Sequence, residues 1–227
     1  VSEIRYVLEK AHYIATTGRP GPVLIDIPMD LQRIKVNPKK LKPFKPKIDK
    51  KKINYKNTIL KIENLLKKSK KPVIVLGGGI KYGKSEQNLT TFLKSFKIPV
   101  VTTWSGVDLV DYNNKKYIGN IGVYGSRAAN FAVQNSDLIL CLGTRLDTRV
   151  TGGVPKSFAR KAKKIVVDID KYELGKKRGL KIDLKVESDI KIFFQEYRKY
   201  KKNNTNREDW LQRCNNWKIK YPIILKE

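Results

Sequence analysis

Lys71-Pro72-Val73-Ile74-Val75-Leu76-Gly77-Gly78-Gly79 decides the fold. A short apolar run entered through a proline and left through three glycines is the pattern of a strand buried on both faces that ends in a sharp turn. Upstream, Asn57 to Lys68 has helical spacing in Ile59, Ile62 and Leu66. Downstream, Leu89, Phe92, Leu93 and Phe96 stripe a second helix, and Ile98 to Thr103 reads as a second strand. The alternation continues with the alanine-rich helix Arg127 to Gln134, the strands Leu138 to Leu142 and Ile165 to Ile169, and a helix with Ile190, Phe193, Phe194 and Tyr197 on one face. Strands alternating with helices at this spacing predict an α/β fold, a doubly wound parallel sheet with helices on both faces.

Outside that core the patterns are shorter. Ile4, Val7, Leu8, Ala11 and Ala15 follow a helical period that Gly18 is placed to end in a left-handed cap. Val23 to Ile27, fenced by Pro22 and Pro28, suits a buried parallel strand. A proline- and lysine-rich stretch from Asn37 to Lys47 has no period and reads as a linker. Lys199 to Asn204 is a polar break, Thr205 to Glu208 has capping-box spacing, and Trp210, Leu211, Cys214 and Trp217 form a packing stripe behind it. The expected organisation is therefore a first segment 1–36, a linker 37–56, a central α/β domain 57–200 and a connector 201–227. The chain begins inside a helical pattern and ends without a closing element, which reads as an excerpt of a longer polypeptide.

Composition narrows the function. The net charge is +28, from 49 Lys and Arg against 21 Asp and Glu, a balance that raises nucleic acid or an anionic membrane as partners. Lysines recur in every amphipathic segment and linker, however, with no Arg-rich, RNA-binding or helix-turn-helix signature, so neither specific nucleic acid nor membrane is expected as a partner. No apolar run approaches the ~20 residues a membrane span needs. Cys141 and Cys214 lie in apolar contexts and read as core residues, compatible with a reducing cytoplasm and with no metal site. His12, on the polar side of the first helix, reads as a surface residue.

Two loops could carry chemistry. Gly77, Gly78 and Gly79, followed by a polar turn to Gly83, let the chain approach either a ligand phosphate or another backbone. Their spacing is not the G-x-G-x-x-G dinucleotide fingerprint. The stretch Gly143-Thr144-Arg145-Leu146-Asp147-Thr148-Arg149-Val150-Thr151-Gly152-Gly153 follows a strand, where open α/β sheets hold ligands. Arg145 and Arg149 beside Asp147 can bind phosphates or a substrate carboxylate while the aspartate holds one guanidinium in place.

That loop resembles the G-x-R-F-D-D-R-V-T-G loop of the acetolactate synthase group of thiamine diphosphate (ThDP) enzymes, with Leu146 and Thr148 departing from it. Thr102 to Gly106 resembles a T-L-M-G loop, and Gly119 to Gly125 a G-M-H-G loop, with Trp104 and Tyr124 departing. Val167-Asp168-Ile169-Asp170 with Glu173 to Lys176 resembles I-D-I-D-x-x-E-I-G-K, and Gly18 to Gln32 resembles the close of the first, pyrimidine-binding domain.

The resemblance implies a central domain of the NAD/FAD-binding type between a remnant of that first domain and a connector to a diphosphate-binding domain. It implies an FAD site from Gly77, Gly78, Gly79, Thr103, Gly106, Gly122, Tyr124, Gly125, Arg145, Asp147, Asp168 and Asp189, with Arg149 at the substrate entrance. The implied cofactors are ThDP and Mg²⁺, held by a glutamate and a G-D-G motif outside this sequence, so no catalytic or metal-binding residue is expected here. The implied activity is 2-keto acid decarboxylation and carboligation by a homodimer or homotetramer, with a regulatory subunit in some relatives. Transfer to another acceptor, such as a keto-sugar, is an alternative within the family, and a non-catalytic nucleotide- or nucleic-acid-binding module is the alternative outside it.

Overall fold

A computed structural model describes residues 1–46 and 53–223, and the chain divides into two units, Val1–Lys52 and Ile53–Glu227. In the first unit, helix α1 (Ile4–Thr16) stops at Thr17, which is extended, and Gly18 takes the left-handed conformation at φ +64°. One residue, Thr17, therefore separates the last helical position from that glycine. The strand expected at Val23 to Ile27 does not form. The segment between its prolines has no regular secondary structure, Leu24 is 93 % exposed, and a parallel strand needs a neighbour that the described residues of this unit do not supply. The short helix α2 (Met29–Gln32) follows. The part of the expected linker that is described, up to residue 46, folds back on α1: Phe44 packs edge-on against Tyr6 at 5.4 Å, and its N–H donates to Glu9 at 2.7 Å. The rest of that linker as far as residue 52 lies outside the described residues.

The second unit opens with α3 (Tyr55–Lys68), capped by the Asn54 side chain accepting from the Asn57 N–H. There follow β1 (Pro72–Leu76), α4 (Gly79–Tyr82), α5 (Glu86–Leu93), β2 (Phe96–Lys97), β3 (Val100–Thr102), β4 (Tyr117–Asn120), α6 (Arg127–Gln134), β5 (Leu138–Leu142), α7 (Thr148–Thr151), β6 (Lys163–Asp168), α8 (Lys171–Gly175), β7 (Leu184–Glu187), α9 (Ile190–Tyr200), β8 (Thr205–Asn206) and α10 (Glu208–Lys220). Six strands form one parallel sheet in the order β4-β3-β1-β5-β6-β7. The chain runs outward from β1 to β4, returns across β1, and runs outward again from β5, so the topological switch point lies between β1 and β5.

Strand periodicity sorts the core into two layers. Ile74, Leu76, Leu138, Leu140, Leu142, Ile165 and Val167 face α3, α5 and α9 around an aromatic cluster of Phe92, Phe96, Phe193, Phe194 and Tyr197. Val73, Val75, Ile139, Cys141 and Val166 face the alanines of α6 and Trp210, Leu211 and Cys214 of α10.

Phe96, expected on a helix, is in β2, because α5 ends at Leu93 and the chain turns to pair with Thr205 of β8. That pairing also overturns the capping box. Thr205 donates its N–H to Ser95 O, and α10 starts at Glu208 after Arg207, whose side chain caps a different helix. Its guanidinium donates to the carbonyls of Leu66, Lys67 and Ser69 at 3.2, 2.9 and 2.7 Å, satisfying the end of α3. Lys164, nearly buried on β6, likewise gives its ammonium to Ala159 O and Ala162 O at 2.8 and 2.9 Å. Burial lowers its pKa, and the nearby Asp183 opposes that shift. Cations that hold carbonyls accommodate part of the positive charge without needing carboxylates.

Both cysteines are free and buried, as read from the sequence. Burial pushes the Cys214 thiol up to about 12 and raises Cys141 as well, while an unfolded thiol keeps its ordinary value near 9.0. Above pH 9 the unfolded chain therefore binds fewer protons than the folded one, and stability falls as pH rises. The expected loss is about 1 kcal/mol per thiol between pH ~9 and ~10. Urea melts across that range should show a flatter pH slope for Cys141→Ala/Cys214→Ala than for the wild type. Parallel slopes would remove the thiols from the account.

Candidate functional site

Every loop singled out for chemistry leaves the same edge of the sheet, the one at which the parallel strands end. From β4 to β7 this edge carries Gly122 to Gly125, Thr103 to Gly106, Gly77 to Gly79, Gly143 to Arg149, Asp168 and Asp189. Parallel pairing alone enforces that gathering, since each crossover returns the chain to the opposite edge.

At the switch point the glycine turns meet each other. Gly77 N–H donates to Leu142 O at 2.9 Å, Gly79 N–H to Gly143 O at 2.9 Å, and Gly78 N–H to Ser105 Oγ at 3.3 Å. A Cβ on Gly77 would lie 2.3 Å from Gly143 O, and one on Gly79 would lie 2.8 Å from the same atom. Of the two readings open for this turn, approach of another backbone is the one its geometry shows, and its three N–H donors are engaged within the protein. Gly106 is likewise crowded by Leu109 and the β1 end, and Gly125 by Asn120 and Ile121.

The loop after β5 is shaped by left-handed backbone at Gly143 (φ +61°) and Leu146 (φ +51°), the latter a buried leucine held in a region that costs energy outside glycine. Asp147 organises the turn into α7. Its Oδ1 accepts the N–H groups of Arg149 and Val150 and so caps that helix, while its Oδ2 accepts Arg145 Nε at 3.3 Å. One carboxylate therefore orients Arg145 by its side chain and Arg149 by its backbone. Arg149 O in turn accepts the Val123 N–H at 2.9 Å, and Gly122 fits against it only because it lacks a Cβ, which would sit 2.3 Å from that oxygen. That hydrogen bond and close approach join the β4 and β5 loops.

On the far side of β1, Trp104 and Tyr124 stand 60 % and 72 % exposed with their rings edge-to-face at 5.7 Å. Lys81 spans from the β1 loop to both carboxylate oxygens of Asp108 at 2.9 and 3.1 Å. Thr103 is buried, with its hydroxyl 3.4 Å from Ser105 Oγ. Asp168 Oδ1 accepts the Asp170 N–H at 2.9 Å, and Asp170 caps α8. Glu173 is almost buried; burial raises its pKa, but the Lys176 hydrogen bond and the Arg178 charge outweigh it and hold the carboxyl below its ordinary range. Asp189 caps α9 through the N–H groups of Lys191 and Ile192, so its carboxylate already has structural work to do. Sequence reasoning missed Lys81 and Asp108, whose pairing leaves no motif in the sequence. Among the described residues no cluster of metal-binding side chains occurs, and no helix is long and apolar enough to cross a membrane.

A six-stranded parallel sheet with helices around it, its candidate loops gathered at the strand ends beside the switch point, defines a doubly wound α/β domain. Residues 59–197 match the family described as thiamine pyrophosphate enzyme, central domain, and the chain belongs to that family. It is 37 % identical over 98 % of its length to the acetolactate synthase large subunit of Cyanidium caldarium, 34 % identical over 98 % to that of Lactococcus lactis, and 31 % identical over 98 % to the isozyme 2 large subunit of Escherichia coli. It spans 40 %, 38 % and 40 % of those relatives.

Proposed function

We propose that this chain is the central part of a ThDP-dependent acetolactate synthase, flanked by the end of a pyrimidine-binding domain (1–36) and a connector (201–227). The full-length polypeptide would decarboxylate a 2-keto acid and pass the two-carbon unit to an acceptor. ThDP with Mg²⁺ supplies the carbanion chemistry when bound, at residues outside this sequence. The large-subunit relatives support assembly with further subunits, and the same reading applies here.

The observation that carries the proposal is the Asp147 arrangement, because one carboxylate holds the Arg145 guanidinium and caps the turn that carries Arg149 at the end of β5 beside the switch point. The remaining side chains fit FAD extended along this edge. Arg145 would meet a phosphate, Asp168 a ribose hydroxyl, and Trp104 and Tyr124 an aromatic ring. The glycine turn, with its donors engaged, would serve as a wall against which the cofactor lies. Arg149 would pair with the keto-acid carboxylate at the substrate entrance.

Arg149→Ala in the full-length enzyme should lower kcat/KM for pyruvate roughly ten- to a hundredfold, about 1.5 to 3 kcal/mol, with flavin content unchanged. Arg145→Ala should instead lose flavin absorbance from the purified protein. Equal flavin loss in both variants, or unchanged kinetics in Arg149→Ala, would reject the division of roles.

A further inference from the structure

Lysines that look evenly spread along the chain become one-sided in the fold. The longer helices α3, α5, α6 and α9 end, and the six strands of the large sheet begin, on the edge opposite the candidate site. The segments there, 67–71, 94–97, 111–116, 135–137, 160–163, 181–183 and 198–204, carry 16 Lys and Arg against 3 Asp and Glu. The loops of the site edge, 77–84, 103–109, 121–126, 143–149, 168–178 and 187–189, carry 8 against 7. Helix C-termini favour cations, which accounts for part of the difference. Of the 3 carboxylates, Asp137 is occupied by Ser69 and the N–H groups of Lys70 and Lys71, and Asp183 by the Lys164 N–H.

A groove of about 590 Å³ runs between α5 and α9 and opens onto this electropositive edge beside β2 and β8. Phe92 and Phe194 floor it, and Lys94, Arg198 and Lys201 rim it with no Asp or Glu among its lining residues. Lys201 is already oriented, its ammonium donating to Ser95 Oγ at 2.7 Å and Asn204 Oδ1 at 2.9 Å, which leaves a third donor. Among the described residues, none of these three cations reaches a carboxylate within ion-pair distance.

We propose that this groove binds a small organic phosphate of nucleotide size, at a second site on the edge away from the candidate active site. A concavity of this volume suits a small ligand. The surrounding field of like charge raises the local concentration of a multiply charged anion. Lysine ammoniums and an arginine fork supply phosphate contacts, and the phenyl floor receives the less polar remainder of the ligand. A nucleic-acid strand fits less well, because among the described residues of this edge only Tyr112 is an exposed large aromatic on which a base could stack.

The test is calorimetric titration of the full-length polypeptide with inorganic pyrophosphate and with ADP at constant ionic strength. Lys94→Ala/Arg198→Ala removes two groove cations, and Lys161→Ala/Lys163→Ala removes equal charge from the same edge outside it. Wild type and the second variant should bind both probes with similar affinity, while the groove variant should bind them at least about tenfold more weakly. Equal weakening in the two variants would reduce the effect to a general charge field and overturn the proposal. So would no binding of either phosphate, or binding of polyuridylate without binding of the small phosphates.

Discussion

Replacing Trp210 by alanine should cost the chain about 3 to 5 kcal/mol, a large share of the roughly 5 to 15 kcal/mol that holds an ordinary domain folded. The indole is 5 % exposed, donates to Pro72 O at 3.2 Å at the start of the central strand, and stands edge-on to Trp217 at 5.7 Å. Its removal opens a cavity in the layer shared by α6, α10 and β1. Urea melts followed by near-ultraviolet dichroism give the measurement. A loss below about 1 kcal/mol would mean that α10 rests on the domain without contributing to it. The large loss expected makes residues 201–220 part of the central fold as well as the start of a connection. The sequence reads a break there because Lys199 to Asn204 is polar and aperiodic. What continues the domain across it is a two-residue pairing of β2 with β8 and one arginine on three carbonyls, neither of which leaves a periodic trace.

Gly77→Ala should be destabilising by about 3 kcal/mol or more, because the added methyl meets the Gly143 carbonyl oxygen at 2.3 Å and Thr144 Cβ at 2.5 Å, and strand ends cannot move apart without breaking the β1–β5 ladder. Gly153→Ala is the matched control. Nothing lies within 4 Å of its added carbon, and the change should be neutral or stabilising by a few tenths of a kcal/mol. The melting temperatures of the two variants decide the point: a Gly77→Ala chain as stable as the Gly153→Ala chain would mean that the turns can separate cheaply. The glycines themselves are conspicuous in the sequence, but their purpose depends on which strand lies beside β1, and that is a property of topology.

The same distinction separates the rest of what the sequence discloses. Strand β5 and helix α6 are read to the residue, since a fully apolar run and an alanine-rich amphipathic face are strong local signals. Strands β4 and β7 go unread, because Tyr-Ile-Gly-Asn and Leu-Lys-Val-Glu are edge segments of four residues with mixed polarity, and pairing with an inner neighbour is what makes them strands. Val23 to Ile27 errs in the opposite direction, an apolar run with the composition of a strand and no described partner. Of the candidate site, the residues of the β5 loop are visible as a motif. The double use of Asp147, the Lys81–Asp108 pair and the closure of the glycine turn on Gly143 emerge only in three dimensions.

The position of α10 has a consequence for how the polypeptide is made. The layer of core on one face of β1, β5 and β6 is completed by side chains from almost the last helix of the domain to be synthesised. While a ribosome is still adding residues 201–217, the layer built by α6 and the alternate valines of the central strand lacks the cover that Trp210, Leu211 and Cys214 supply. The aromatic layer on the opposite face, by contrast, is complete once α9 has emerged. The nascent chain therefore passes through an interval with one finished face and one open apolar face, the kind of surface that chaperones hold and that misassembly exploits.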